Sequence, residues 1–284
     1  MSPKGPFHQL ARTAKPQPIP QHIAPMLATL SKIPAREQEY GVEFKWDGVR
    51  AICFWDGRTI NLDSRNLLDI TPRYPELAAL GHTLKHTSAI FDGEIVALDE
   101  QARPSFSLLQ RRMHVANVTP ALREINIVYM IFDLLYFNNY SLMSAPYERR
   151  RELLENLNLS GPYWQTPPFR LGKASELLTA ARNFGLEGVV AKKMDSLYIP
   201  GARSREWLKI KVIQRQATSF VDFANCEGWA THGISAAHTL SEPTHKSRLA
   251  APKIADKFDY LTALQALADQ LAHLFGLLDG GGFY

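Results

Sequence analysis

Cysteine is nearly absent. Cys53 and Cys226 are the only two in 284 residues, which excludes a disulfide scaffold or a four-cysteine zinc site and suits a reducing compartment. Long apolar runs are missing too. No stretch approaches the ~18–20 apolar residues of a membrane span, and the opening MSPKGPFHQLARTAKPQP carries no apolar signal core. Charge of one sign is not in excess: 32 Lys+Arg stand against 28 Asp+Glu, so net charge alone is a weak pointer to a polyanionic partner. A charged fraction of 21% with 10% aromatics excludes a disordered, collagen-like or coiled-coil chain. No internal repeat is visible. The expectation is a soluble, cytoplasmic protein without a membrane partner.

What is present divides into three parts. Residues 1–25 hold prolines at 3, 6, 16, 18, 20 and 25 and read as an extended arm. Residues 26–214 alternate short β-rich runs with helical segments. Strands are predicted at 41–46, 49–55, 89–98, 125–132, 187–193 and 206–212, and helices at 147–158 and 174–184. Turn signals fall at Asp56-Gly57 and at the Gly-Pro pair 161–162. There is no steady strand–helix–strand period, so the pattern predicts an α+β domain with antiparallel sheets and flanking helices. The tail, 215–284, loses its strand signals. Its leucines 264, 267, 271, 274 and 278 predict an amphipathic helix over 255–278, stopped by Gly280-Gly281-Gly282. Residues 213–284 carry five basic against seven acidic side chains and the preceding 212 carry 27 against 21, so the basic surplus lies in the main body.

Four segments carry chemistry. In GVEFKWDGVR (41–50) a strand period places Val42, Phe44 and Trp46 on one face and Glu43, Lys45 and Asp47 on the other. A lysine between two carboxylates is unusual there, and the Asp-Gly turn aims Arg50 back toward it. A hairpin with a solvated polar face is the alternative. In FDGEIVALD (91–99) Asp92 and Glu94 share a face beside Gly93, which suits a hard cation such as Mg²⁺; an acidic β-turn would look the same. LEGVVAKK (186–193) opens a buried strand with Glu187 and Gly188 and ends it in lysines. In EWLKIKV (206–212) Leu208, Ile210 and Val212 face a core, while Lys209 and Lys211 share the other face and repel unless an anion lies over them.

In this order the segments resemble the collinear motifs of the covalent nucleotidyltransferases, specifically the ATP-dependent DNA ligases. KWDGVR (45–50) resembles the lysine-adenylate motif, DSRN (63–66) the Ser-Arg motif, and FDGE (91–94) the third. IFDLLY (131–136) resembles the adenine-stacking segment, EGVVAK (187–192) the fourth motif and WLKIK (207–211) the fifth. The connectors FSLLQRR (106–112) and DSLYIPGARSREW (195–207) are similar to those of bacterial end-joining ligases. The resemblance spans about Pro25 to Gln214 and implies an ATP-grasp-like adenylation domain. It implies ATP and Mg²⁺ (or Mn²⁺) as cofactors, nicked or broken double-stranded DNA as partner, and Lys45 as the nucleophile that becomes lysyl-AMP. Glu43, Arg50, Arg65, Glu94, Phe132, Lys209 and Lys211 are then expected to bind the nucleotide, with Phe132 stacking on adenine. Glu94 and Glu187 are expected to hold the metal, and Arg50, Arg65, Lys192 and Arg203 to meet nucleic acid.

Family members continue after the fifth motif into an oligonucleotide-binding barrel of about five strands; residues 215–284 are expected to lack it. A protein that binds ATP or nicked DNA without sealing therefore stands beside the active ligase. An RNA ligase or capping guanylyltransferase is disfavoured by Phe132 and the two connectors. His232, His238 and His245 are spaced too loosely for a zinc motif, and the tail leucines read as a packing helix, not a zipper.

Overall fold

A computed structural model of the chain describes residues 15–100, 103–113 and 124–212. Two sheets face each other. The first orders β1 (Leu27–Leu30), β12 (Arg203–Lys211), β11 (Gly188–Lys193), β2 (Tyr40–Lys45) and β10 (Arg170–Leu171). The second orders β4 (Ile60–Ser64), β3 (Val49–Trp55), β5 (Ala89–Ala97), β6 (Ile127–Phe137), β9 (Trp164–Gln165) and β8 (Ser160–Gly161), with β7 (Tyr140–Ser141) beside β6. The helices are α1 (Leu80–Leu84), α2 (Phe106–Met113), α3 (Tyr147–Asn156) and α4 (Ala174–Asn183). All described residues belong to one compact unit.

The α+β expectation is met, with one correction: the sheets are mixed, not antiparallel. β1 runs parallel to β12, and β9 parallel to β6. Both partners are too short to show a period of their own. The predicted turns are in place, Asp56-Gly57 closing β3 onto β4 and Gly161-Pro162 closing β8 onto β9. Asp47-Gly48 is a different matter. It closes no hairpin, because β2 and β3 lie in different sheets; it is the crossing between them. A Cβ at Gly48 would stand 2.1 Å from the Ile95 carbonyl oxygen, so only glycine lets the crossing pass so close to β5.

Alternation along the strands builds three cores. Ala51, Cys53 and Trp55 of β3 join Phe91 and Ile95 of β5 and Leu153 and Leu154 of α3 in the first. Val42 and Phe44, Val189 and Ala191, and Leu208 and Ile210 pack against Leu177 and Ala181 of α4 in the second. Burying one leucine such as Leu177 stabilises by about 2 kcal/mol. The third gathers Ile52, Phe54, Leu135, Tyr198 and Trp207, covered by Ile23 and Met26. Residues 15–25 hold no strand or helix and are docked: Tyr136 donates its hydroxyl to the Gln17 carbonyl at 2.6 Å, and His22 Nδ1 lies 2.7 Å from Asp63. Residues 1–14, Cys226, His232, His238, His245 and the predicted helix 255–278 lie outside the described residues.

β6 is buried along its length and is bulged twice. Its register against β5 slips so that Leu135 and Phe132 have no partner. The second bulge turns Phe132 toward the space between the sheets.

Candidate active site

A cleft of about 400 Å³ opens between the sheets. Of the residues expected at the site, Glu43, Lys45, Arg50, Arg65, Glu94, Phe132, Lys192, Arg203 and Lys209 all line it, together with Trp46, Ser64, Asn66 and Trp207. Residues brought from both sheets thus converge on one space. Glu187 and Lys211 are not part of the lining and are tied to it through Lys45.

Lys45 ends β2, opposite Gly188 at the start of β11, which is itself opposite Lys211 of β12. A Cβ at Gly188 would meet the Ile210 carbonyl oxygen at 2.0 Å, so the glycine lets three strands draw together here. Glu187 then sits between two lysines. Its Oε2 accepts from Lys45 Nζ, and its Oε1 pairs with Lys211 at 2.8 Å. Its carboxyl is held below its ordinary range: partial burial pushes it up, and bonds from Lys211 and Lys45 more than offset that. Lys209 is held below its ordinary value by desolvation and by Arg203, Lys45 and Lys211. Lys45 and Lys211 thus share one carboxylate with Lys209 nearby, a surplus of positive charge that favours a polyanion.

Arg50 enters from β3 and is anchored. Nε and Nη2 donate to the two oxygens of Asp92 at 2.5 and 2.6 Å, and Tyr198 donates its hydroxyl to the same carboxylate at 2.7 Å. Burial opposes the charge on Arg50, and Asp92 more than restores it, so the guanidinium is firmly cationic. The expected pairing of Asp92 with Glu94 around a metal is overturned: Asp92 is fully buried and committed to Arg50 and Tyr198. Glu94 alone reaches the cleft. Burial pushes its carboxyl up to about 7, Arg50 and Lys45 only partly opposing.

Phe132 has Arg50 Cζ 4.7 Å and Lys192 Nζ 4.2 Å from its ring centre. Lys192 lines the cleft at 2% exposure; its ammonium pairs with Glu43 at 2.8 Å and is enclosed by aromatic rings. Burial holds it below the ordinary lysine value, with Glu43 opposing. Arg65 and Arg203 are exposed at the cleft, where an extended polyanion can reach them.

Sequence reasoning missed Tyr147 and Arg151 of α3, which hold Glu43: Tyr147 donates its hydroxyl to Glu43 Oε1, and Arg151 Nη1 lies 3.6 Å from it. No local signal marks them, since YERRRELLEN reads as an ordinary charged helix. Trp207 was inside a quoted motif and carried no assigned role.

Among the described residues no group of three or more His, Cys, Asp and Glu could hold a metal, and no helix is long and apolar enough to cross a membrane. A Mg²⁺-like ion binds through one or two carboxylates plus substrate phosphates and not in an all-protein cage; Glu94 reaches the cleft, while the oxygens of Glu187 are engaged by Lys45 and Lys211.

Two facing mixed sheets around a lysine, with cations from both sheets and an aromatic ring from the second, make up a nucleotidyltransferase fold. A family model for the ATP-dependent DNA ligase domain matches residues 23–211. The chain is 35% identical over 218 residues to the multifunctional non-homologous end joining protein LigD of Mycolicibacterium smegmatis, covering 76% of this chain and 27% of that protein. It is 35% identical over 202 residues to a DNA ligase of Methanosphaerula palustris, covering 69% and 36%. Two solved structures, a mycobacterial DNA ligase D complexed with ATP and the ligase domain of M. tuberculosis LigD, superpose with TM-score 0.59 at 35% identity, covering 66% of this chain and 60% of theirs. The chain belongs to the ATP-dependent DNA ligase domain family. It spans about a quarter to a third of the length of these curated relatives.

Proposed function

We propose that this chain seals breaks in double-stranded DNA as an ATP-dependent ligase, with Lys45 as its nucleophile. One observation carries the reading: nine of the eleven residues expected from the resemblance, drawn from both sheets and the loop after β4, line a single cleft.

In the first step the neutral amine of Lys45 attacks the α-phosphorus of ATP. An N–P bond forms, the bond to the bridging oxygen breaks, and pyrophosphate leaves with the electron pair. The amine attacks only without its proton, so the contact with Glu187 must give way as ATP arrives. Lys209 and Lys211 then neutralise the phosphates as charge moves onto the leaving group, while Phe132 stacks on the base and Glu43 accepts from its edge. A Mg²⁺ or Mn²⁺ ion would be held by Glu94 and Glu187 and would supply charge neutralisation and alignment of the phosphates. In the second step an oxygen of the DNA 5′-phosphate attacks the lysyl-AMP phosphorus, breaking the N–P bond and restoring Lys45. In the third, the 3′-hydroxyl attacks the 5′-phosphate and AMP departs. Arg65 and Arg203 hold the DNA strand at the mouth, and Arg50, anchored by Asp92, turns its Nη1 to phosphate.

Intact mass after incubation with ATP and Mg²⁺ tests the first step. The wild type gains one AMP and Lys45→Ala gains none. A nicked duplex then tests sealing, and a pre-adenylated nick without ATP separates the third step from the first. A wild type that gains no AMP and seals neither substrate refutes the proposal.

A further inference from the structure

Lys192 is buried and lines the cleft. Its ammonium stands 2.8 Å from Glu43 Oε2 and 4.2, 4.7 and 4.9 Å from the ring centres of Phe132, Trp207 and Tyr147. A cation so enclosed by aromatic faces is stabilised by their quadrupoles and has little freedom to move. Besides Glu43, its hydrogen-bond acceptor is the Phe132 carbonyl at 3.5 Å. Lys192 therefore touches both groups at which a nucleotide base would rest: the ring it would stack on and the carboxylate at its edge.

Glu43 is 3% exposed and is held from every side. Lys192 occupies Oε2, the Tyr147 hydroxyl donates to Oε1, and Arg151 Nη1, with no hydrogen-bond partner of its own, lies 3.6 Å from Oε1. Tyr147 keeps its proton, because burial and Glu43 raise its hydroxyl well above the ordinary value. With a donor already on each oxygen, the lone pairs Glu43 still offers can only accept. A purine presenting an amino group at that edge is bound; one presenting a carbonyl oxygen meets lone pair against lone pair. Adenine has the amino group at position six and guanine the carbonyl.

We propose that Lys192 is a positioning residue for nucleotide selection: with Tyr147 and Arg151 it fixes Glu43 as an acceptor-only group, which makes the site take ATP and refuse GTP. This rests on reading the cleft as the ATP site. Sites built around a buried hydrogen-bonding group reject the wrong partner strongly, because a buried polar group is left unpaired. Replacing Lys192 by methionine keeps a long unbranched stem but takes the donor from Oε2, so Glu43 is no longer fixed as an acceptor at the base edge.

The experiment measures equilibrium binding of ATP and of GTP to the whole chain, and formation of the lysyl-nucleotide from each, for wild type, Lys192→Met and Tyr147→Phe. The wild type prefers ATP. Lys192→Met lowers the ATP-to-GTP ratio roughly tenfold or more, and Tyr147→Phe, which keeps its ring and so its packing, lowers it less. Equal weakening of both nucleotides in both variants overturns the proposal and leaves Lys192 a packing residue. If Lys192→Met does not fold, the Tyr147→Phe ratio decides alone. A wild type that prefers ATP, forms no adduct and seals neither nick refutes the ligase reading and leaves the binding ratios to decide this one. A wild type that binds ATP and GTP equally overturns it even where an adduct forms.

Discussion

Replacing Glu94 by glutamine tests whether the cleft makes a carboxyl group hold its proton. In the unfolded chain this group ionises near 4.5, and in the folded chain burial raises it to about 7. Between those values the folded state binds more protons than the unfolded one. The contribution of Glu94 to stability is therefore greatest at low pH, falls as pH rises from about 4.5 to about 7, and is constant beyond. The gap corresponds to at most about 3 kcal/mol. Glutamine has the same shape and no such term, so the comparison cancels every other titrating group. Urea denaturation of both proteins at about pH 5 and about pH 8 should show the variant gaining about 2–3 kcal/mol on the wild type across that interval. Parallel pH dependences in the two proteins would refute the reasoning, because they would mean that Glu94 ionises as freely folded as unfolded. The same titration bears on chemistry. If a charged Glu94 is needed to hold the metal, adenylation by the wild type falls away below about pH 7.

Two further predictions concern stability. Arg150 and Asp133 are both fully buried and joined at 2.8 and 2.9 Å, so Arg150→Ala should cost about 3–5 kcal/mol by stranding a buried charge, with a loss under about 1 kcal/mol in chemical denaturation counting against it. Glu37 caps α4 from outside the helix, accepting from the Ala174 and Ser175 amides at 2.9 and 3.3 Å. Glu37→Ala should lower stability by about 1 kcal/mol, and an unchanged urea midpoint would show the cap to be idle.

Much of this was legible because the strands that matter are buried on one face. Val42 and Phe44 alternate with Glu43 and Lys45, and Leu208 and Ile210 with Lys209 and Lys211, so period two assigns both the core and the cleft wall. β6 defeated that logic. Apart from Asp133 it carries no charge and shows no alternation, and only its two bulges, set by pairing with β5, decide that Phe132 turns to the cleft. The true partners of the site residues were equally hidden. Asp92 sits two positions from Glu94 and was read as its companion, but an arginine 42 residues away claims it. Lys192 looked like one more surface cation because sequence shows charge and not depth. Arg150 and Arg151, adjacent in a helix of exposed appearance, are buried by the elements laid over them.

The crossing at Trp46-Asp47-Gly48 places Lys45 and Arg50 on opposite sheets although only four residues lie between them in the chain. Four Cα steps from Lys45 to Val49 can reach at most about 14 Å. The gap between the sheets at that end is therefore limited by covalent length, whatever their packing does elsewhere. The motif acts as a tether on that end of the cleft, and inserting a single residue between Lys45 and Arg50 would lengthen the tether without removing any group from the cleft lining.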